Sequence, residues 1–155
     1  MEKDLEIAAG IGWQAWIREL KGEVETVDIQ SYSPLTLAYV GDGIYDLIIR
    51  VLVVSGGNRP VRKLHEETSS IVRASSQSEM MRALQPILTE EEHTIYRRGR
   101  NTKMVSPAKN QSLTDYRRAT GFEALIGWLF LKNEEKRLLE LIRIGLDHLN
   151  EVKEV

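Results

Sequence analysis

The stretch from Leu35 to Val54, LTLAYVGDGIYDLIIRVLVV, constrains the fold more than any other part of the chain. Its apolar residues recur at helical spacing, which predicts one long helix packed on a hydrophobic core. Ser33 and Pro34 suit the start of this helix, because serine caps free backbone N–H groups and proline favours the first turn. The residues predicted to face the core are Leu37, Val40, Ile44, Leu47, Ile48 and Val51.

Two aspartates interrupt this apolar helix, Asp42 and Asp46, four positions apart and therefore on the same side. A buried carboxylate without a partner costs several kcal/mol, so we expect a cationic group opposite Asp42. Asp46 has two interpretations, a surface ion pair with Arg50 or a contribution to the same site as Asp42. Gly41 and Gly43 flank Asp42, and glycines inside a helix indicate the close approach of another helix, an ion or a phosphate.

Length and composition indicate one soluble domain. The chain has 155 residues, no cysteine and a net charge of −2. Without cysteine, disulfides and thiolate metal sites are excluded, which agrees with a reducing cytoplasm. The acidic N-terminus does not resemble a secretion signal, and no apolar run approaches the ~20 residues that span a bilayer. Because the net charge of the chain is negative, a nucleic-acid partner would have to be bound by a local basic patch.

The remaining helical signals predict an all-α chain. An amphipathic N-terminal arm carries Trp13 and Trp16, which are either packing anchors or a partner-binding surface. Inward-facing residues after Pro60 include Val61. The predicted helix starts are Pro60, Ser76 with Glu79, Thr89 with Glu92, Ser112 with Asp115, and Glu134. We expect an arm and linker over residues 1–33, a main domain over 34–150 and a C-terminal tail over 151–155.

The charge balance changes sharply between Arg97 and Arg118, where seven basic residues face one acid, Asp115. The middle of this segment, residues 101–112, has no helical period and is predicted to be a loop. A basic loop is either a solvated surface or a site for an anion such as a nucleic-acid backbone. The candidates for backbone contact are Arg97, Arg98, Arg100, Lys103 and Lys109.

Glu123 is the second acid in apolar surroundings, within GFEALIGWLFL on the predicted fifth helix. If that helix packs on the helix of Asp42, the two acids can share a cation. Oxygen ligands without cysteine or paired histidine favour Mg²⁺ or Mn²⁺ over Zn²⁺. The histidines are scattered on polar faces, and no Gly-rich phosphate loop or serine-nucleophile motif is present.

Two motifs resemble the ribonuclease III family. YVGDG at residues 39–43 resembles its signature helix, and FEALIG at residues 122–127 is similar to its second metal-binding helix. The resemblance covers roughly residues 34–150. Within the family the chain is most similar to the short bacterial form, Mini-ribonuclease III. We expect no double-stranded-RNA-binding domain after these motifs, as in that form, and RRGRN at residues 97–101 with the lysine-bearing loop looks like it.

The resemblance implies a ribonuclease III-like helical fold and a homodimeric endonuclease that cuts double-stranded RNA with Mg²⁺, for which Mn²⁺ is a possible substitute. By position, Asp42 and Glu123 match the two family carboxylates that hold the metal and carry catalysis. Longer family members have two further acids at the positions that Ala38 and Thr120 occupy in this chain. This chain therefore has fewer charges to bind a second ion. The short form is associated with maturation of the 23S (large-subunit) ribosomal RNA precursor, so we expect that substrate and a cytoplasmic location.

Two other functions remain open. A non-catalytic RNA- or ribosome-binding module would suit the loss of acids at Ala38 and Thr120, although the retained Asp42 and Glu123 argue against it. An all-α, Mg²⁺-dependent nucleotide hydrolase would need paired acids on one helix, such as ExxE. The run Glu90 to Glu92 does not supply such a pair, because it is predicted to complement the start of a helix.

Overall fold

The structure is a computed structural model that describes residues 12–24, 27–102 and 112–153. Within these ranges the protein is all-α, as the sequence predicts. The helices are α1 (Trp13–Lys21), α2 (Pro34–Val54), α3 (Val61–Val72), α4 (Ala74–Leu84), α5 (Glu90–Arg100), α6 (Leu113–Leu131) and α7 (Glu135–Lys153). Short 3₁₀ turns lie at Ile29–Ser31 and Gln85–Ile87. None of the described helices is long and apolar enough to cross a membrane.

Helix α6 is the centre of the fold, and it packs against α2, α4, α5 and α7. Its start is capped as predicted, because the Ser112 hydroxyl accepts a hydrogen bond from the Asp115 backbone N–H at 3.0 Å. The helix is buried on almost every side, as expected for an apolar helix surrounded by others. The helical spacing of Ala119, Phe122, Ile126 and Leu129 predicts that these four residues face the core, and all four are buried.

Helix α2 crosses α6 at a contact made by two glycines. A Cβ atom at Gly41 would overlap the backbone carbonyl of Glu123, and one at Gly127 would overlap the carbonyl of Leu37. The two backbones can touch only because neither glycine has a side chain. This confirms the close helix approach predicted for Gly41, whereas a Cβ at Gly43 would meet no atom within 4 Å.

The core face of α2 differs from the prediction. Leu37 is buried as expected, but Leu47 is 56% exposed and Val51 is 61% exposed. Because α2 is apolar around most of its circumference, residue spacing alone does not decide which side meets the core. The small residues decide it, since they allow α6 to come close. The buried residues of α2 are Leu37, Ala38, Gly41, Tyr45, Ile49 and Val53.

The start of α5 has the predicted capping box. The Thr89 hydroxyl accepts from the Glu92 N–H at 3.1 Å, and the Glu92 carboxylate accepts from the Thr89 N–H at 2.8 Å. Arg137 of α7 also donates two hydrogen bonds to this buried carboxylate, each at 2.8 Å. The guanidinium holds the pKa of Glu92 below its usual value. Glu92 therefore caps α5 and ties it to α7, which confirms the capping interpretation of this acidic run.

Two local predictions are wrong. Helix α4 begins at Ala74, so Ser76 lies inside it, and its hydroxyl donates to the Ser70 carbonyl at 2.6 Å instead of capping. The helix starts earlier because the extended backbone of Arg73 already separates it from α3. Val61 was predicted to face inward, but it is 66% exposed in the first turn of α3.

The N-terminal arm packs on α6 through Trp13, which confirms the packing interpretation for that residue, whereas partner binding stays a prediction. The indole Nε1 of Trp13 donates to the Leu131 carbonyl at 3.0 Å, so Trp13 anchors α1 on the end of α6. Trp16 lies 6.0 Å from the Phe130 ring but remains 59% exposed. The arm is therefore packed through one tryptophan and presents the other to solvent. Its residues 1–11 lie outside the described part of the chain.

Candidate active site

The crossing of α2 and α6 brings Asp42 and Glu123 into one cavity of about 160 Å³. Asp42 follows the glycine whose missing side chain admits α6, and Glu123 supplies the carbonyl that this glycine touches. The backbone contact therefore sets the two carboxylates side by side. The walls of the cavity also include Arg73, Gln77 and Tyr116.

The two acids repel each other in this cavity. Burial, the charge of Asp42 and a hydrogen bond with Asp42 together raise the pKa of Glu123 to about 8. Asp42 itself is exposed at the cavity, contrary to the prediction that it is buried. No cationic side chain among the described residues forms an ion pair with either acid, although Arg73 lies on the wall of the same cavity. Two adjacent carboxyl groups without an ion-pair partner favour a bound cation, which can replace the proton that they otherwise hold.

Asp46 lies outside this cavity and forms a surface ion pair. Its carboxylate lies 2.6 Å from the Arg50 Nε, one turn further along α2. The ion-pair interpretation is therefore confirmed. In the described ranges no group of three or more Asp, Glu, His or Cys side chains is placed to bind a metal.

The basic residues predicted to contact RNA are only partly described. Arg97 and Arg98 are exposed at the end of α5. Arg100 is half-buried, with its guanidinium 5.6 Å from the centre of the Tyr96 ring. Lys103 and Lys109 lie outside the described residues. RNA contact at these positions stays a prediction.

Three cavity residues were missed by sequence reasoning, Arg73, Gln77 and Tyr116. Arg73 is exposed, whereas Gln77 is almost fully buried. Their position depends on the sharp joint between α3 and α4, where Arg73 adopts an extended backbone. The sequence predicts a break in this region but gives no signal that the joint faces the two acids.

Known proteins are similar to this chain in sequence and in fold. The family model described as the ribonuclease III domain matches residues 35–134. The chain belongs to the ribonuclease III family. Mini-ribonuclease 3 of Clostridium tetani is 45% identical over 121 residues, which cover 77% of this chain and 80% of that protein. The Enterococcus faecalis Mini-ribonuclease 3 is 43% identical over 129 residues, or 82% of this chain and 98% of that protein.

A solved structure has a similar fold. The crystal structure of a Fusobacterium nucleatum protein superposes with a TM-score of 0.72 at 30% identity, covering 79% of this chain and 99% of that one. As a member of the ribonuclease III family, this protein is an endoribonuclease of the class that acts on double-stranded RNA. The all-α prediction and the family resemblance are both confirmed.

The cavity of this ribonuclease III domain fits a divalent metal ion. It offers two adjacent carboxyl groups, and no described side chain forms an ion pair with either of them. The side chain of Gln77 adds a buried amide oxygen without a hydrogen-bond partner. Oxygen donors of this kind are the ligands that Mg²⁺ and Mn²⁺ prefer.

The stability of the metal-free protein should fall as pH rises towards 8. The folded protein keeps the Glu123 proton up to a pKa of about 8, whereas the unfolded chain releases it near 4.5. Between these values the folded state binds more protons, so the free energy of unfolding decreases with pH. Glu123→Gln imitates the protonated acid and should stabilise the protein by on the order of 1–3 kcal/mol near pH 8, and far less near pH 5. Urea denaturation in a chelator checks this, and parallel pH profiles for the two proteins would contradict it.

Proposed function

We propose that this protein is a Mg²⁺-dependent endoribonuclease that cleaves double-stranded RNA and matures the 23S ribosomal RNA precursor in the cytoplasm. The meeting of Asp42 and Glu123 in one cavity carries the proposal. The names of the relatives and the family resemblance support the substrate class. Mn²⁺ is expected to replace Mg²⁺, since both prefer oxygen ligands.

The cavity residues have complementary roles in this proposal. Asp42 and Glu123 would hold the ion, which would supply an acidified water and neutralise charge on the scissile phosphate. Arg73 is exposed on the wall of the same cavity and can contact a phosphate oxygen. Arg97 and Arg98, with Lys103 and Lys109 of the following segment, bind the backbone on either side of the cut.

A substrate panel tests the proposal. Purified protein is incubated with duplex RNA, single-stranded RNA and nucleoside triphosphates, each with and without Mg²⁺. Only the duplex should be cut, and only with metal. Duplex binding without cleavage would favour the RNA-binding module, and release of phosphate from triphosphates would favour the nucleotide hydrolase. A large-subunit precursor fragment and an unrelated duplex of equal length then test the ribosomal role, since equal cleavage rates would contradict it.

We also propose that the protein acts as a homodimer through the apolar stripe of α2. The stripe comprises Leu47 and Val51, both more than half exposed, with the half-buried Ile44 and Ile48 beside them. An exposed apolar stripe of this kind is typical of an interface. Val51 lies nine positions from Asp42, which is two and a half helical turns, so the two residues lie on opposite sides of α2. Dimerisation through the stripe would therefore leave the acids uncovered. Two copies related by a two-fold axis supply one acid pair for each RNA strand.

The dimer should have about twice the 17.7 kDa mass of the chain at micromolar concentration. Combining Leu47→Glu with Val51→Glu should give a monomer, because the two charges would be desolvated at the interface. Ile87→Glu is the matched control, since Ile87 is 41% exposed but lies outside the stripe. Light scattering measures all three proteins. A wild-type monomer, or a double variant that remains a dimer, would contradict the proposal.

Changing Arg97 and Arg98 together to alanine should weaken RNA binding and reduce its dependence on salt. Each neutralised phosphate releases counterions, so the slope of affinity against salt should fall by about one unit for each lost contact. Both side chains are exposed, so stability should hardly change. Affinity is measured at several salt concentrations in an Asp42→Asn background, with Arg143→Ala of α7 as the control.

The same series with Lys103→Ala and Lys109→Ala examines the predicted loop contacts. If the wild type and a double variant gave the same affinity and the same slope, that pair would be only a solvated surface.

A further inference from the structure

Gln77 carries a buried polar atom that no described protein group satisfies. It lies in the first turn of α4 and is only 3% exposed. Its Nε2 donates a hydrogen bond to the Val72 carbonyl at 2.9 Å, which fixes the orientation of the amide. Its Oε1 is buried and has no hydrogen-bond partner. A buried acceptor without a partner destabilises a fold, so this oxygen calls for a donor.

The donor has room in the cavity that Gln77 shares with Asp42 and Glu123. The cavity measures about 160 Å³. A water molecule occupies about 30 Å³ in the liquid, so the space suits a small hydrated species. Thr120, also on the cavity wall, has its hydroxyl donating to the Tyr116 carbonyl at 3.0 Å. Gln77 lines this cavity, so a donor bound inside it is the candidate partner for the amide oxygen.

The two carboxyl groups favour a cation as the species that fills this space. They make the cavity acidic, and a cation with bound water neutralises them while offering O–H donors. Mg²⁺ suits this role because it keeps several of its waters when bound by one or two carboxylates. A neutral amide oxygen can accept from such a water without adding a charge to the pair. Ala38 and Thr120 supply no further acid on the facing helices.

We propose that Gln77 is a positioning residue of the metal site, whose Oε1 accepts a hydrogen bond from the hydration shell of the cation held by Asp42 and Glu123. The Val72 carbonyl orients the amide for this task through Nε2. The inference rests on the proposed function, since it requires the ion at these acids. It assigns the joint between α3 and α4 a part in metal binding, in addition to its part in the core.

Two variants separate metal positioning from a structural role. Gln77→Leu removes both the donor to Val72 and the acceptor. Gln77→Glu removes the amide donor to Val72 but keeps acceptor oxygens at the end of the side chain. Gln85→Leu is the matched control, because Gln85 is half-buried and donates to the Tyr96 hydroxyl at 3.2 Å, away from the cavity. The probe is Mn²⁺ without RNA, measured by electron paramagnetic resonance, with the melting temperature in a chelator recorded for each protein.

Gln77→Leu should weaken Mn²⁺ binding about 10- to 100-fold, the usual effect of removing a group that orients a metal shell. Gln77→Glu should bind Mn²⁺ at least as tightly as the wild type, even though both variants lose the bond to Val72. Gln85→Leu should leave the affinity unchanged. If Gln77→Leu does not fold, Gln77→Glu decides alone, and a tenfold loss of affinity there would overturn the inference.

The inference and the proposed function can fail separately. If the wild type binds Mn²⁺ better than Asp42→Asn while Gln77→Leu matches the wild type, the inference is wrong and the metal site stands. If the wild type binds Mn²⁺ no better than Asp42→Asn, the proposed metal site is wrong, and the role of Gln77 is overturned with it.

Discussion

Asp42→Asn is expected to abolish cleavage of duplex RNA while the protein stays folded. An amide is a poor ligand for Mg²⁺ and carries no charge, so the cavity would keep only Glu123 as a charged ligand. We expect the turnover rate to fall by on the order of 10²- to 10³-fold or more, as when a group that stabilises the transition state is removed. The metal-free variant should be at least as stable as the wild type, because the substitution removes the charge beside Glu123.

Asp46→Asn is the matched control for this experiment. Asp46 lies one turn from Asp42 on the same helix, but its carboxylate pairs with Arg50 at 2.6 Å outside the cavity. Its substitution makes the same chemical change without touching the site, so activity should stay within about twofold of the wild type, as for an exposed ion pair. Turnover of a defined duplex at saturating Mg²⁺ is measured for all three proteins. A folded Asp42→Asn protein with wild-type turnover would refute the catalytic assignment.

Helix ends were predicted well wherever a few neighbouring residues determine them. Ser33 caps α2 by accepting from the Thr36 N–H at 3.2 Å, and Ser112 caps α6 in the same way. These caps join residues three apart, so the sequence contains the whole interaction. The pattern at Ser76 fails because the backbone of Arg73 ends α3 and starts α4 before that serine is reached. A capping pattern identifies a possible helix start, but the chain can use an earlier one.

Helix faces were predicted less well, because a face is chosen by a partner that is distant in sequence. The apolar spacing on α2 selects Leu47 and Val51, which are exposed. The face that meets α6 is instead defined by Ala38, Gly41 and Tyr45. Small residues contribute little to a hydrophobic pattern, yet they determine how closely two helices pack. The exposed stripe that results is the surface we assign to the dimer.

The acid pair was predicted because each carboxylate stands out from its apolar neighbours and matches a family motif. The structure brings Asp42 and Glu123 together in one cavity, as that prediction requires. Arg73 and Gln77 were not predicted, because they belong to the joint between α3 and α4. Neither residue is unusual in its own segment. Their relation to the acids exists only after α4 has packed against α6.

Gly41→Ala should destabilise the protein strongly, whereas Gly43→Ala should not. The added Cβ at Gly41 would overlap the Glu123 carbonyl, a backbone group that cannot move aside by changing rotamer. Helices α2 and α6 would have to separate, and we expect the free energy of unfolding to fall by about 3 kcal/mol or more. At Gly43 the new Cβ would meet nothing within 4 Å. There alanine should stabilise the helix by up to about 1 kcal/mol, because it has the higher helix propensity.

Urea denaturation of the two variants and the wild type measures this difference, and a cleavage assay connects it to function. The Cβ at Gly41 would overlap the backbone of Glu123, whose side chain shares the cavity with Asp42. Separating the two helices must therefore also separate the acid pair. Gly41→Ala should therefore lose activity even below its melting temperature, while Gly43→Ala, beside Asp42 on the other side, should stay active. Equal stability and activity of the two variants would show that the glycine contact does not set the distance between the acids.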